Sequence, residues 1–514
     1  MVRLTSGNRK WWILATMTGA LSMILIDETA VSVALPTIQR DLHMSPSGLQ
    51  WVVNSYLLTL ACCVAVGGRL GELLGQARMF RLGAVAFVAA SAGCGLAGSG
   101  AWLIAARAAQ GLAAAAMMPA SGAIVINAFG AGERGRAMGT YGGISTVSLA
   151  LGPLLGGLLT QGITWRAVFW INLPVGLAML ALAQSTLPAD DPERGAVMDW
   201  PGAATLVPGL MAIVFALMQS AQWGWASPAT IGLLGGGALL AAFVFTEARR
   251  GSPLVQLKLF ASRNFSAGTT VLGCVQFALT GLTVFGAIYA QEILGFGPIT
   301  AGLALLPVML PVMLLSPAAG RAYDRLGPRA LVTAGAALLG TGTIWTAGLL
   351  GTFRYAWLLP GLVLTGIGIA LVMTPVSTDA LNTAPPTWRG QAQGVIQTLR
   401  HLGGTVGLAI MGTAVARTQR ARLAGALSAA HGDPAVLAKL SAAMRGALKD
   451  SLAAGISSAL YIGGAVVLAS AVAAWALLRR VTPADARPAP ATPPPPDSAR
   501  AGSPVRCGDP AWRG

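Results

Sequence analysis

The chain has 514 residues, of which 54% are hydrophobic and only 10% are charged, and its formal net charge is +16. Soluble proteins carry about 25% charged residues, so this composition excludes an ordinary soluble protein and indicates a polytopic helical membrane protein. The basic residues are scattered between apolar runs and form no basic face. This pattern argues against a nucleic-acid partner and fits membrane orientation instead.

Apolar runs long enough to cross a bilayer recur along the chain and predict fourteen membrane-spanning helices. They lie at 12–35, 49–68, 80–99, 102–127, 138–160, 167–187, 201–219, 229–248, 265–290, 298–319, 330–350, 356–378, 391–415 and 454–478. An even number puts both termini on one side, and the distribution of Lys and Arg predicts that this side is the cytoplasm. We expect short amphipathic helices in the outer loop 416–453 and disorder in the Pro-rich cytoplasmic tail 479–514.

The first apolar stretch, Trp12–Pro36, contains two acids, Asp27 and Glu28. An ionised acid near the bilayer centre costs roughly 2.5–3.5 kcal/mol, so it must be paired, protonated or hydrated. Adjacent positions on a helix point ~100° apart, so the two acids face different surroundings. Asp27 shares its face with small alanines and is the first candidate for proton chemistry, with Glu28 the second. The alternative is that a neighbouring helix merely shields both acids.

Arg107 is a permanent charge inside the fourth predicted span, and Gln110 follows it by three residues. Helical rise puts Asp27 ~12 Å and Arg107 ~8 Å from the outer ends of their spans, so their depths are compatible. We predict that the two interact directly, through Gln110 or through water, and that protonation of an acid on the first span alters this balance. A static buried ion pair is the alternative.

Two short loops at matching places in the two halves share one pattern, in which a glycine is followed by an acid four residues later and by another glycine seven residues later. These loops contain Gly68, Glu72 and Gly75 in the first copy and Gly320, Asp324, Arg325 and Gly327 in the second. The repetition implies duplicated bundles. We predict that the loops form a cytoplasmic gate that docks one half on the other, with plain turn capping as the alternative.

The fifth predicted span carries small residues around a proline, namely Gly152, Pro153, Gly156 and Gly157. Glycine lets helices approach closely, and proline with glycine bends or loosens a helix. We predict a hinge or seal between the two bundles. A tight helix interface without a conformational role is the alternative.

Polar and aromatic side chains inside the spans are candidates for a substrate cavity. They are Asn54, Tyr56, Gln276, Tyr289 and Arg400. Interfacial anchoring or helix–helix hydrogen bonding is the alternative for these side chains. A mostly apolar cavity with few polar groups suits a lipophilic organic molecule.

The five cysteines and three histidines show no metal-ligand spacing, and the chain contains no H-E-x-x-H, G-x-S-x-G or phosphate-binding loop. The sequence therefore predicts no metal, no cofactor and no enzymatic activity. An intramembrane enzyme and a membrane protein that transports nothing stay open as less favoured alternatives.

Several of these motifs together resemble the major facilitator superfamily, and specifically its 14-helix drug:proton antiporter branch. The two loops are similar to the signature G-x-L-x-D-[RK]-x-G-[RK]-[RK], although Glu72 replaces the usual Asp in the first copy. Arg107 and Gln110 fit R-x-x-Q-G, and residues 151–157 fit the exporter motif G-P-x-x-G-G. Residues 27–36 are close to D-x-T-x-x-N-x-A-L-P, with Ser in place of Asn.

The resemblance implies an all-α major facilitator fold of two six-helix bundles with two additional helices between them. The implied division is an N-terminus at 1–11, bundles at 12–187 and 265–478, connectors at 188–200 and 249–264, additional helices at 201–248 and the tail at 479–514.

The same resemblance implies a proton-coupled exporter of lipophilic drugs or antibiotic-like molecules, powered by the proton gradient. We expect it to act as a monomer in the bacterial cytoplasmic membrane, with the substrate, protons and membrane lipid as its partners. Uptake or uniport of a metabolite such as a sugar is the alternative.

Overall fold

The computed structural model describes residues 6–188, 190, 197–250, 253–429 and 436–479. Within these residues the chain is built from α-helices joined by short turns, as the apolar runs predict. The helices are α1 (Ser6–Asp41), α2 (Pro46–Leu74), α3 (Gln76–Gly95), α4 (Gly100–Ala128), α5 (Arg134–Gly162), α6 (Ala167–Trp170), α7 (Asn172–Thr186), α8 (Trp200–Trp223), α9 (Pro228–Leu234), α10 (Gly236–Glu247), α11 (Arg263–Ile288), α12 (Pro298–Leu303), α13 (Leu306–Leu326), α14 (Pro328–Leu349), α15 (Tyr355–Thr383), α16 (Arg389–Ala429) and α17 (Val436–Leu477).

Twelve helical segments of the described chain are long and apolar enough to cross a membrane. Helices α13 and α16 are outside this set, although α13 packs along α5 and α15, and α16 packs along α2, α11 and α17. The polytopic all-α fold is therefore confirmed, and the count of fourteen spans stays a prediction.

Local sequence explains where several helices begin. Serine side chains accept hydrogen bonds from the first turn at Ser45 before α2, Ser99 before α4 and Ser262 before α11, and Asp199 does the same before α8. Such caps satisfy backbone N–H groups that have no partner within the helix. The long apolar runs between these caps then form uninterrupted helices.

The helices pack in two groups. In the first, α1 packs against α5 and α7, and α4 packs against α2 and α3. In the second, α14 packs against α15 and α17, and α11 packs against α16 and α17. We call these groups the N-bundle (α1–α7) and the C-bundle (α11–α17). They meet along α2 with α16 and along α5 with α13, while α8 lies beside α2 and α16 and packs against α9 and α10. The domain boundaries derived from the sequence stay predictions.

The described chain begins and ends at the same end of the helical bundle, which we call the terminal end. Near the start of α1, Lys10 pairs with Glu133 at 2.5 Å, and the next residue, Arg134, donates to Asn382 at 3.0 Å. A chain of contacts then continues through Tyr323, Asp379 and Asn264 to the backbone N–H of Arg479. At the opposite end, which we call the distal end, Arg166 pairs with Asp41 at 2.7 Å.

The prediction of short surface helices in the outer loop 416–453 is wrong. Helix α16 instead continues to Ala429, and α17 already begins at Val436. The sequence from Arg417 is rich in Ala, Arg and Leu, which favour helix, whereas Gly432 and Pro434 follow only after α16 has ended. Residues 480–514 of the predicted disordered tail and residues 189 and 191–196 of the predicted connector lie outside the described residues.

Candidate functional site

The predicted contact between Asp27 and Arg107 is present inside the N-bundle. Arg107 Nη1 lies 2.5 Å from Asp27 Oδ2, and both side chains are 0% exposed. The Arg107 Nη1 group also donates to Gln110 Oε1 at 2.6 Å, and its Nε donates to the carbonyl of Val52 at 3.1 Å. Three of the four predicted proton-coupling residues therefore form one cluster.

Two further residues complete the environment of Asp27. Its Oδ1 accepts from Asn172 Nδ2 at 2.7 Å and from Gln110 Nε2 at 2.9 Å. Ser91 Oγ in turn accepts from Gln110 at 2.8 Å and from Asn172 at 3.4 Å. We call Asp27, Ser91, Arg107, Gln110 and Asn172 the α1–α4 cluster, since its charged members lie on these helices.

Aromatic rings close the α1–α4 cluster on one side. The guanidinium of Arg107 lies 4.2 Å from the ring centroid of Tyr56 and 5.9 Å from that of Phe169. Tyr56 itself is fully buried. The sequence-based placement of Tyr56 in a substrate cavity is therefore not what the structure shows, because its ring packs on Arg107 inside the N-bundle. The cluster as a whole is a charge-balanced and enclosed network.

Glu28 has different surroundings from Asp27, as the ~100° angle between adjacent helical positions predicts. Its side chain is half-buried, and within the described chain its carboxylate makes no hydrogen bond or ion pair. It lies in electrostatic range of Arg107 and Asp27 on one side and of Arg400 on the other. Arg400 belongs to α16 of the C-bundle, so Glu28 faces the second bundle.

Arg400 is the charged centre of a polar group on the C-bundle. Its Nη1 donates to Gln397 Oε1 at 3.0 Å, and its Nη2 donates to Gln276 Oε1 at 3.5 Å. Its Nε is buried without a hydrogen-bond partner. Two of the predicted cavity residues, Gln276 and Arg400, are thus brought together. Of the other two, Tyr289 donates to the carbonyl of Leu350 and serves helix packing, whereas Asn54 is half-buried on α2.

The three glycines that the sequence predicts as a seal, Gly152, Gly156 and Gly157, do not line the contact between the bundles. A side chain at Gly152 would collide with Thr29, and one at Gly156 would collide with the backbone of Ala30, so both glycines pack on α1 within the N-bundle. Gly157 has ordinary contact distances to α1. Only Pro153 approaches the C-bundle, near Gly302 of α12. These glycines therefore do not form the predicted seal between the bundles, and the predicted hinge in α5 stays a prediction.

At the terminal end, the first predicted gate loop contacts the C-bundle. A Cβ at Gly68 would collide with the backbone of Gly390, so only glycine permits this approach of α2 to α16. Glu72 accepts from the backbone N–H of Gln391 at 2.8 Å and from its side-chain amide at 2.5 Å. The acid of this loop therefore lies at the positive N-terminus of a helix from the other bundle.

The second gate loop repeats this arrangement in the opposite direction. Gly320 of α13 and Gly135 of α5 are in close backbone contact, and Asp324 Oδ1 accepts from the N–H of Gly135 at 3.1 Å. Burial raises the pKa of Asp324 from its ordinary value of 3.8 to about 6, although backbone N–H groups of Gly135 and Arg136 oppose the shift. Arg325 is exposed.

The sequence analysis missed a second pair of contacts between the bundles. Arg134 of α5 donates to Asn382 of α15 at 3.0 Å, and Arg389 of α16 donates to Asn127 of α4. Burial, together with the charge of the nearby Arg134, lowers the pKa of Arg389 to about 10. The signal was present, because Asn, six residues, Arg and Gly occur in this order at both 127–135 and 382–390. Each arginine reaches the asparagine of the other copy.

The turn glycines of both loops have a direct conformational role. Gly75 has φ +97° and Gly327 has φ +73°, values that favour glycine and let two helices meet end to end. Asp190, which the sequence analysis did not single out, accepts from the N–H groups of Ala77 and Arg78 at 2.8 and 2.9 Å. It thereby caps α3 from the end of the N-bundle.

No group of three potential metal ligands occurs among the residues that the structure describes. A cavity of about 410 Å³ lies at the terminal end, beside Glu72, Asn127 and Asp190. The N-bundle thus contains an enclosed ionic network, the α1–α4 cluster. Glu28 of the N-bundle and Arg400 of the C-bundle are in electrostatic range of each other, and the two bundles make reciprocal contacts at the terminal end.

Comparison with known proteins places this arrangement in a family. A sequence model of the family described as Major Facilitator Superfamily matches residues 17–408. Multidrug resistance protein Stp of Mycobacterium tuberculosis (strain CDC 1551 / Oshkosh) is 36% identical over 431 residues, covering 83% of this chain and 80% of Stp. The Tetracenomycin C resistance and export protein of Streptomyces glaucescens is 34% identical over 416 residues, covering 80% of this chain and 76% of that protein.

A third relative, Puromycin resistance protein pur8 of Streptomyces alboniger, is 35% identical over 478 residues and covers 91% of this chain and 92% of pur8. Among solved structures, the proton:xylose symporter XylE superimposes with a TM-score of 0.62 at 14% identity, over 93% of this chain and 98% of XylE. The likeness to XylE shows the fold alone. The chain belongs to the major facilitator superfamily, a family of membrane transporters and not of enzymes.

Proposed function

We propose that this protein exports lipophilic, antibiotic-like small molecules across the bacterial cytoplasmic membrane in exchange for protons. Small molecules as cargo are supported by the names of its relatives, which refer to multidrug resistance, puromycin resistance and tetracenomycin C export. The exchange for protons rests on this chain's own residues, because two acids and two arginines lie at membrane depth in the predicted spans. Charges in that position are costly unless they serve a task.

The contacts between the bundles support alternating access. Both gate loops dock on the opposite bundle at the terminal end, where glycines permit backbone approach. We take this end as cytoplasmic, in line with the excess of Lys and Arg there. The structure then corresponds to a state closed toward the cytoplasm. Rigid rotation of the bundles would break these contacts and open the cavity inward.

The observation that carries the proposal is the coexistence of two intramembrane acids with hydrogen-bonded contacts between the bundles. Protons and substrate need not meet, since each can bias the same two-state equilibrium of the bundles. Transport powered in this way needs no cofactor, and the proton gradient supplies the energy. We expect the protein to act as a monomer surrounded by membrane lipid.

The test is uptake of radiolabelled puromycin into inside-out vesicles from cells that lack other efflux pumps. We expect accumulation when the vesicle interior is acidic, collapse on addition of a protonophore, and none in vesicles without the protein. Accumulation that persists after the gradient is collapsed would exclude proton coupling. Accumulation of a sugar but of no lipophilic compound in a panel including puromycin and tetracenomycin C would favour the alternative of metabolite transport.

A further inference from the structure

The two neighbouring acids of α1 differ in what surrounds them. Asp27 is fully enclosed and saturated by Arg107, Gln110 and Asn172, which donate at 2.5, 2.9 and 2.7 Å. With three donors, one of them a guanidinium, both oxygens of this carboxylate already have hydrogen-bond partners. Release of Asp27 for proton exchange would require breaking this network and bringing water to a side chain with 0% exposure.

Glu28 has none of these restraints. Its side chain is half-buried, and its carboxylate makes no hydrogen bond or ion pair in the described part of the chain. It lies in electrostatic range of both Arg107 and Arg400. An acid without fixed donors can gain or lose a proton without rearranging its neighbours. Asp27 is thus held by its neighbours, whereas Glu28 makes no hydrogen bond or ion pair among the described residues.

Arg400 supplies a charge on the opposite bundle. It is half-buried on α16, is held only by the amide oxygens of Gln276 and Gln397, and keeps a buried Nε without a partner. Glu28 and Arg400 are in electrostatic range, yet no ion pair between them is formed. Each therefore lacks a direct ionic partner and faces the other across the contact between the bundles.

The remaining titratable and charged groups near Glu28 are few. They are Asp27 on the same helix, Tyr56 on α2, Arg107 on α4, Tyr141 on α5 and His401 on α16. Tyr141 and His401 lie close to Arg400, and Tyr141 shares a hydrogen bond with Ser121 at 2.6 Å. Helices α6 and α7, which also pack on α1, contain no ionisable side chain. Arg107 is already paired with Asp27 at 2.5 Å, whereas Arg400 has no ion pair among the described residues.

We propose that Glu28 is the acid that exchanges the proton, and that Arg400 on the other bundle is its counter-charge. This inference rests on the proposed function and specifies the site at which the proton binds. Movement of the bundles changes the distance between the carboxylate and the guanidinium, and hence the balance between charged and protonated Glu28. The proton leaves to water when Arg400 is near and returns from water when it is distant, so no other bond forms or breaks.

The first experiment needs no substrate. Infrared difference spectra of the purified protein in lipid, recorded across a pH titration, should contain a carboxyl C=O band that is absent in Glu28→Gln. The matched control is Asp27→Asn/Arg107→Gln, which removes the adjacent acid without leaving Arg107 unpaired and should keep the band. Loss of the band in this double variant, or its persistence in Glu28→Gln, would overturn the inference whether or not the protein exports puromycin.

The second experiment separates coupling from transport in proteoliposomes with puromycin as the probe. Glu28→Gln should lower gradient-driven uptake about tenfold or more, the size of an ordinary coupling free energy, while puromycin exchange without a gradient persists. The pH profile of exchange should flatten in the same variant. Equal loss of uptake and exchange would contradict a role limited to the proton.

Arg400 is tested as a positioning residue through Glu28. Arg400→Gln should lower gradient-driven uptake, and Arg400→Lys should restore most of it because the charge returns. In a Glu28→Gln background, Arg400→Gln should have no further effect on coupling, since the group on which it acts has been removed. Additive losses in the double variant would refute the pairing of the two residues.

Discussion

Replacement of Arg107 by Gln tests how far the α1–α4 cluster stabilises the protein. The substitution removes the 2.5 Å ion pair with Asp27, the donor to the carbonyl of Val52 and the cation–π contact with Tyr56. It leaves a carboxylate with 0% exposure facing only neutral donors. Breaking a buried pair by removing one partner costs about 3–5 kcal/mol, because the remaining charge is uncompensated.

The double variant Asp27→Asn/Arg107→Gln removes that uncompensated charge. We expect it to be more stable than Arg107→Gln alone, with a coupling energy of about 2 kcal/mol or more between the two positions. Equilibrium unfolding in mixed micelles of the wild type, both single variants and the double variant gives the four free energies of unfolding from which the coupling energy is calculated. The reasoning fails if Arg107→Gln costs under about 1 kcal/mol, or if the two losses simply add.

Three further predictions concern the terminal end. Gly68→Val should abolish gradient-driven puromycin transport at normal expression because its side chain collides with Gly390, whereas Gly142→Val, which points into open space, should preserve it. Arg389→Gln should speed hydrogen exchange at the start of α16 because the contact with Asn127 is lost, and an unchanged rate would show that this contact does not hold the bundles together. Arg325→Gln is the exposed control. Because burial raises the pKa of Asp324 to about 6, closure should strengthen as the pH falls from ~7 to ~5, and this response should vanish in Asp324→Asn.

The contact between Asp27 and Arg107 could be predicted from the sequence because it depends on how deep each residue lies in its span. Depth along a helix follows from residue counting, so Asp27 and Arg107 could be matched before their distance was known. Gln110 followed from its position one turn from Arg107. Ser91 and Asn172 could not be found in the same way, since their part in the cluster depends on the rotation of α3 and α7 about their axes.

Other parts of the site depended on which face of a helix meets which neighbour. The glycines of α5 indicated close packing, but not that Gly152 and Gly156 pack on α1 while Gly135 meets Gly320. The sequence predicts that Tyr56 lines a substrate cavity, but its ring packs on the buried guanidinium of Arg107 inside the N-bundle. Sequence periodicity gives the angle between two residues of one helix and leaves the helix's orientation open.

The reciprocal contacts at the terminal end have the strength that the proposed gate needs in order to hold and still open in every transport cycle. From the N-bundle, Glu72 contacts a helix N-terminus of the C-bundle and Arg134 contacts an asparagine there. From the C-bundle, Asp324 and Arg389 make the two equivalent contacts to the N-bundle. A hydrogen bond contributes a net ~0.5–1.5 kcal/mol, so four such contacts amount to a few kcal/mol. Changing a population from 1:99 to 99:1 takes about 5.5 kcal/mol, which protons and substrate together can supply. Two carboxylates in place of Asn127 and Asn382 would form buried ion pairs with the arginines, and the gate would then be harder to open.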